Sequence, residues 1–275
     1  MPEIRLIATD LDNTLLRTDK SLSPRNQAAL RAAGEAGVAV VPATARQPLG
    51  LLSVVPSFGE WADLLGGWAV CSNGALGVHL PGPATLFEAT MPVPAQRSLV
   101  TALRARVPGV VFCAVRDGGA TFLVEEGYAA LATWGDHNRD PRTMQVAGID
   151  GLAGTPNLKM VARHPEFGPE DLWQIWTGLE VPGVGATRSG APFLEFSAAG
   201  IDKAWGLARL CARLGIGPDQ VVALGDGHND LDMLVWAGHG VAMGNAVDEV
   251  KAAADEVGPA CDEDGFAVTV EAVLG

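Results

Sequence analysis

The chain has 275 residues, 48% of them hydrophobic and 19% charged, which supplies enough apolar material for a folded core and argues against a disordered chain. Lysine and arginine total 19 against 32 aspartates and glutamates, a formal net charge of −13, so the protein's own field opposes nucleic acid and anionic membranes as partners. No apolar run approaches the ~20 residues needed to span a bilayer, and the start MPEIRLIATD fits no secretory signal, so a cytoplasmic protein without membrane attachment is expected.

In chain order, Ile4 to Ala8 predicts a first strand that stops at Thr9-Asp10. Ser23 then reads as a helix N-cap, Pro24 as the first helical residue, and Gly37 as a left-handed closing residue. Val38 to Val41 predicts a strand before Pro42-Ala43-Thr44, and Trp68 to Cys71 another before Ser72-Asn73-Gly74. Beyond Pro81-Gly82-Pro83 the pattern changes. A helix is expected near 94–107, followed by two β-rich runs at 110–115 and 121–126 separated by Arg-Asp-Gly-Gly, which is a hairpin signal. A strand over Leu158 to Ala162 and a helix over 169–179, with Leu172, Ile175, Trp176 and Leu179 on one face, complete this middle region. Asp202 then precedes a helix, KAWGLARLCARL, that Gly215 terminates; Val221 to Leu224 predicts a strand before Gly225-Asp226, and LDMLVWA a further helix.

Short apolar runs alternating with helices predict an α/β fold whose core is a doubly wound parallel sheet, buried on both faces. In such sheets chemistry sits at the carboxyl ends of the strands. The middle region reads as a second α/β unit, 83–188, inserted between core segments 1–82 and 189–275. The four cysteines, Cys71, Cys113, Cys211 and Cys261, form no Cys-x-x-Cys pair and read as free thiols of a reducing compartment.

Four strand ends carry the candidate chemistry. Asp10 and Asp12 stand two residues apart after the first strand, and two close carboxylates call for a cation or a proton between them. Mg²⁺ suits carboxylates and phosphate. On the motif alone a turn that merely ends a strand is an even alternative. Gly225-Asp226-Gly227-His228-Asn229-Asp230 offers further carboxylates after a strand; taken singly, Asp230 could equally be the N-cap of the next helix. Neither segment fits an EF-hand, since the sixth and twelfth positions are Leu15 and Ser21, or Leu231 and Ala237. His228 has no second His or Cys near it in sequence to make a zinc site. Thr44 offers a hydroxyl, and Lys203, one of only four lysines, a point charge for a phosphoryl oxygen. Each alone reads as surface polarity; their combination does not.

These segments, TDLDNTLL, PATAR, SNGA, GIDKAWGL, GDGHNDLDML, VAMGNA and DEDGFA, resemble the motifs of the haloacid dehalogenase (HAD) superfamily of phosphohydrolases, and in detail its Cof-type branch. The resemblance covers nearly all of 1–80 and 190–275, and the insert matches that branch's α/β cap in position and size. Two residues depart from the family pattern, Asn13 and Ala45, each in place of Gly. The resemblance implies a Mg²⁺-dependent phosphatase for a small phosphorylated metabolite, a sugar phosphate or a phosphorylated cofactor. Asp10 would be the nucleophile and Asp12 the acid and then base. Asp10, the Asp12 carbonyl, Asp226 and Asp230 would hold the metal, the last directly or through water, with Asn229 in support. Thr44 and Lys203 would bind the phosphoryl group, and Arg46, Asn73 and Asn245 would assist in substrate or loop positioning. A phosphomutase on the same scaffold, or a slow-turnover phosphate-binding regulator, are the alternatives. In the insert, Trp134, His137, Arg139 and Arg142 are candidates for reading the leaving group, against an ordinary solvated loop, which is the stronger expectation there.

Overall fold

The computed structural model describes residues 3–54, 67–80 and 84–275. The Pro81-Gly82-Pro83 stretch lies outside them. The strands in chain order are β1 (Leu6–Thr9), β2 (Ala39–Pro42), β3 (Trp68–Cys71), β4 (Leu76–His79), β5 (Ala84–Glu88), β6 (Val111–Arg116), β7 (Thr121–Val124), β8 (Gln145–Val146), β9 (Lys159–Arg163), β10 (Val184–Thr187), β11 (Leu194–Ala198), β12 (Val221–Gly225), β13 (His239–Ala242) and β14 (Glu256–Val257). The chain divides into two compact units, one comprising Met1–Ala45, Val54–Phe87 and Asp202–Gly275, the other Arg46–Ser53 and Glu88–Ile201.

The first unit is built on a parallel sheet of order β14-β13-β12-β1-β2. The chain winds outward from β1 to β2 in one direction and from β12 to β14 in the other, so the order reverses between β1 and β12. That reversal opens a crevice at the strands' carboxyl ends. Leu6, Ala8, Val41 and Ala223 pack on one side with Leu207, Leu210, Met233 and Leu234 of the helices Lys203–Leu214 and Leu231–Trp236. Ile7, Val40, Val222 and Leu224, which alternate with them, are equally buried. The helices Pro24–Glu35 and Gly265–Leu274 pack together, with Leu30, Phe266 and Val270 buried.

The helix ends follow the sequence signals. Ser23 Oγ accepts from Asn26 N at 3.0 Å. At the other end Gly37, at φ 75°, allows Val38 N to reach Ala33 O (2.9 Å) and Gly37 N to reach Gly34 O (3.0 Å), a Schellman closure. The third strand differs from expectation. β3 pairs antiparallel with β4, in a three-stranded sheet β3-β4-β5, and meets the parallel sheet through one isolated parallel bridge, Ala43↔Val70. A four-residue apolar run specifies burial, and its pairing partner is chosen by the turn at Ser72–Gly74 that folds the chain back onto it.

The second unit holds a six-stranded sheet of order β10-β11-β9-β6-β7-β8. Its pairs are antiparallel except β7 with β8. The helices Val93–Arg106 and Pro169–Thr177 cover one face, where Leu99, Leu103 and Leu172 meet Phe112, Met160 and Phe196. On the other, Cys113, Val115 and Val161 pack with Phe122, Tyr128 and Phe193. The predicted hairpin is present, its turn Asp117–Gly119 running through left-handed backbone at all three residues. The protein is thus α/β, a doubly wound parallel-sheet core carrying an inserted α/β cap.

Candidate active site

Asp10 follows β1 and Asp226 follows β12, the two strands that flank the reversal of order. Their adjacency is fixed by the ladder itself, since Asp10 N donates to Leu224 O at 2.9 Å. Asp10 is 8% exposed, and Lys203 and Asp230 are wholly buried. Lys203 Nζ donates to Asp10 Oδ1 and to Asp230 Oδ1, each at 2.6 Å.

Lys203 reaches this point because its helix begins there. Asp202 caps the first turn by accepting from Trp205 N at 2.8 Å. Two glycines let the helix start press against the turn after β3. A Cβ on Gly206 would lie 2.6 Å from Val70 Cγ1 and 2.7 Å from Gly74 O, and one on Gly74, itself at φ 98°, would lie 1.7 Å from Asp202 O. The same contact sets Asn73 beside the loop after β12, where Asn229 Nδ2 donates to Asn73 Oδ1 at 3.1 Å. Thr44 is 1% exposed; its N donates to Val70 O (2.8 Å) and its carbonyl accepts from Asn73 N (3.0 Å), so the end of β2 and the turn after β3 are one hydrogen-bonded assembly.

Asp230 does not cap the helix Leu231–Trp236, to which its side chain makes no capping bond. Its carboxylate turns back. Oδ2 accepts from Asp226 N (3.0 Å) and Gly227 N (2.9 Å) while Oδ1 takes Lys203. Asp230 therefore shapes the loop that presents Asp226 and steers Lys203. Asp226 Oδ1 accepts from Thr14 Oγ1 at 2.9 Å, a bond across the two halves of the unit's sequence. Thr14 thus joins the site, although nothing in the sequence but its place in the TDLDNTLL segment marks it.

The electrostatics favour a bound cation. Burial pushes the Asp10 carboxyl well above the usual carboxylate range; Lys203 opposes this, while Asp230, Asp226 and Asp12 add to it. Asp226 is raised to about 7, first by burial and then by Asp230. Burial alone would lower Lys203, but Asp10 and Asp230 outweigh it and hold the ammonium above its ordinary value. Oxygens of Asp10, Asp226 and Asp230 lie within 4.8 Å of one another. An all-carboxylate set with no thiol or imidazole matches a hard cation such as Mg²⁺. With Oδ1 of Asp10 on Lys203, Oδ1 of Asp226 on Thr14 and Asp230 engaged at both oxygens, the second oxygens of Asp10 and Asp226 are the ones best placed to receive it.

The remaining candidates are placed as follows. Asp12 Oδ1 lies 3.0 Å from Lys20 Nζ. Asn13 has φ 60°, the left-handed backbone that Gly takes freely and Asn better than most residues, which accounts for one of the two departures from the family pattern. Asn245 bridges backbone segments, with Nδ2 on Asn13 O (2.9 Å) and Oδ1 accepting from Cys261 N (2.8 Å). Arg46 belongs to the second unit, where its guanidinium donates to Gly50 O at 3.5 Å. His228 Nε2 lies 3.3 Å from Glu249 Oε2, and among the described residues it does not join the cluster of Asp10, Asp226 and Asp230. In the cap stretch, His137 stacks on Phe193 (4.9 Å) and shares a 2.8 Å hydrogen bond with Tyr128 Oη. Arg139 lies over Phe122 and Arg142 chelates Asp140, while Trp134 is 56% exposed.

A family model for haloacid dehalogenase-like hydrolases matches residues 7–270, and the chain belongs to that family. Several relatives that it resembles over most of their length are named phosphatases, among them phosphatase YwpJ of Bacillus subtilis, 28% identical over 294 residues with 98% of this chain and 100% of that protein covered. The chain is 30% identical over 264 residues to pyridoxal phosphate phosphatase YbhA of Escherichia coli, with 92% of each chain covered. It is also 26% identical over 276 residues to a chloroplastic Arabidopsis thaliana protein named endoribonuclease YBEY, covering 97% of this chain but 46% of that protein, so the chain spans about half its length. Among solved structures it superposes on a sugar phosphatase of HAD subclass IIB with a TM-score of 0.81 at 22% identity, covering 98% of both chains, a likeness of fold. Among the described residues no helix is long and apolar enough to cross a membrane.

Proposed function

We propose that the protein is a Mg²⁺-dependent phosphatase that hydrolyses a small phosphorylated metabolite, of the sugar phosphate or phosphorylated cofactor class, through an aspartyl phosphate on Asp10. The observation that carries this is the buried Asp10–Lys203–Asp230 chain beside Asp226, at the one point where the strand order reverses. The names of the relatives, a pyridoxal phosphate phosphatase and a sugar phosphatase, support the substrate class. Cys113, Cys211 and Cys261, free and buried, fit the expected cytoplasmic setting.

In this reading Lys203 holds the Asp10 carboxylate in one orientation, and so presents it to phosphorus. As the new P–O bond forms, the bond to the leaving oxygen breaks with its electron pair, and Asp12 supplies the proton. Asp12 then takes a proton from the water that hydrolyses the intermediate. Lys203 and Thr44 bind the phosphoryl oxygens. The metal would be held by Asp10, the Asp12 carbonyl and Asp226, with Asp230 acting through water and through the loop amides it orders, and Asn229 in support; when bound it neutralises phosphoryl charge that would otherwise repel a carboxylate. Asn73, Asn245 and Arg46 are assigned to positioning.

The test is release of inorganic phosphate from a panel of phosphorylated metabolites by the purified protein with Mg²⁺. Turnover that EDTA stops and Asp10→Asn abolishes, with the fold retained, supports the proposal. Absence of turnover across the panel refutes it, and conversion of substrate without phosphate release would indicate a mutase instead.

A further inference from the structure

The loop between β1 and the helix Pro24–Glu35 carries a cation that no motif marks. Lys20 Nζ lies 3.0 Å from Asp12 Oδ1 and 3.5 Å from Asn13 Oδ1. The two side chains of the ion pair are 44% and 29% exposed, so the pair adds little stability by itself. The backbone is nonetheless shaped to deliver it. Lys20 sits at φ 66°, the left-handed region that a lysine enters only when its surroundings impose it.

What imposes it is a tight turn anchored at two places. Lys20 N donates to Arg17 O and Arg17 N to Ser21 O, both at 2.9 Å, while Asp19 Oδ1 accepts from Ser21 N at 2.8 Å. The turn is then tied to the segment before the last helix: Arg17 Nη2 to Asp264 Oδ1 (2.8 Å), and Thr18 N and Oγ1 to the Asp262 carboxylate (3.1 and 2.8 Å). A turn with so many fixed points keeps a strained lysine aimed at one carboxylate.

We infer that Lys20 is a positioning residue for Asp12, and that it acts in the second half of the reaction. The inference rests on the proposed function. While substrate is bound, the leaving oxygen itself engages the Asp12 carboxyl. After the alcohol has departed, only the protein can orient Asp12. The water oxygen must then bond to phosphorus while the P–O bond to Asp10 breaks, its electron pair returning to the Asp10 carboxylate and a water proton passing to Asp12; inorganic phosphate and the free enzyme result. Lys20 holds Oδ1 and thereby the direction of the Asp12 side chain during that step.

The test uses full-length protein with Mg²⁺ and dinitrophenyl phosphate, whose leaving group departs without a proton. For this substrate kcat/KM reports steps up to transfer onto Asp10, and kcat includes the later hydrolysis. In Lys20→Met kcat falls by about 10–100-fold, less than the roughly 100–10,000-fold a positioned acid–base group contributes, because Asp12 itself is retained. KM falls in step, kcat/KM stays within about 3-fold, and a stoichiometric burst of dinitrophenolate appears. Lys20→Arg, which can still reach Asp12, restores most of kcat. Lys20→Gly relieves the positive φ and removes the ammonium, so it must show the same burst with no loss of thermal stability. Unchanged kcat, or kcat and kcat/KM falling together without a burst, overturns the inference. Failure of the phosphatase reading looks different, because the wild-type protein would then not turn over the aryl phosphate at all.

Discussion

Replacing Lys203 by methionine keeps most of the side chain's length and deletes its charge. The wild-type ammonium is wholly buried and donates to Asp10 Oδ1 and Asp230 Oδ1 at 2.6 Å each. Without it these two buried carboxylates and the half-buried Asp226 keep their oxygens within 4.8 Å of one another with the Lys203 ammonium gone. Removing one partner of a buried pair costs about 3–5 kcal/mol. At about 2–4 °C per kcal/mol, the parallel unit should melt roughly 6–20 °C lower. The cost has a sign in pH. Burial already raises the Asp10 carboxyl, and loss of Lys203 raises it further, so the folded state holds a proton that the unfolded state has released. Stability of the variant therefore falls as pH rises through the carboxyl range toward that raised value. Thermal melts at about pH 5 and pH 8, in EDTA and in Mg²⁺, test this, with the largest deficit expected at the higher pH in EDTA and partial recovery on adding metal. A deficit under about 1 kcal/mol, or one indifferent to both pH and metal, would refute the reasoning.

Thr14→Val removes the 2.9 Å bond to Asp226 Oδ1, and Mg²⁺ affinity by titration calorimetry should drop roughly 10-fold or more, as for other groups that orient a ligand. Gly206→Ala forces a Cβ to 2.6 Å from Val70 Cγ1 and 2.7 Å from Gly74 O, so chemical denaturation should show a loss of about 1–3 kcal/mol. His137 is lowered from 6.5 to about 3, first by burial and then by Lys159 and Arg163, with Asp136 opposing. Between those values the unfolded state binds the extra proton, so stability falls as pH drops through the window, by up to about 1.4 kcal/mol per pH unit. His137→Phe, which keeps an aromatic ring between Phe193 and Phe122, should flatten that acid limb in equilibrium unfolding.

Much of this architecture was legible because apolar runs end on chemically distinctive residues. β1 stops at Asp10 and β12 at Asp226, Ser23 marks a helix start by its capping hydroxyl, and Gly37 and Gly215 mark helix ends by their left-handed backbone. What could not be read was partnership at a distance. The run over β3 gave burial but not its antiparallel neighbour, and nothing local placed Arg46–Ser53 with the second unit. Asp230 was ambiguous between cap and ligand, because both roles need only a carboxylate at a helix start; three donors arriving from Lys203, Asp226 and Gly227 decide its direction. Lys20 carried no signal at all, being one polar residue in a polar loop until its left-handed backbone and its distance to Asp12 are seen.

The reversal of strand order has a consequence for synthesis. β1 is an interior strand of its sheet, yet its neighbour β12 is made more than two hundred residues later. As the chain emerges, β1 and β2 can pair early, but the other edge of β1 stays open while residues 88–201, largely antiparallel and local in their pairing, are completed. Asp10 meets Lys203, Asp226 and Asp230 only after that. The carboxylate–ammonium cluster is therefore completed late, and a chain that stops before Lys203 and Asp230 holds Asp10, the proposed nucleophile, without the cation and the loop that surround it.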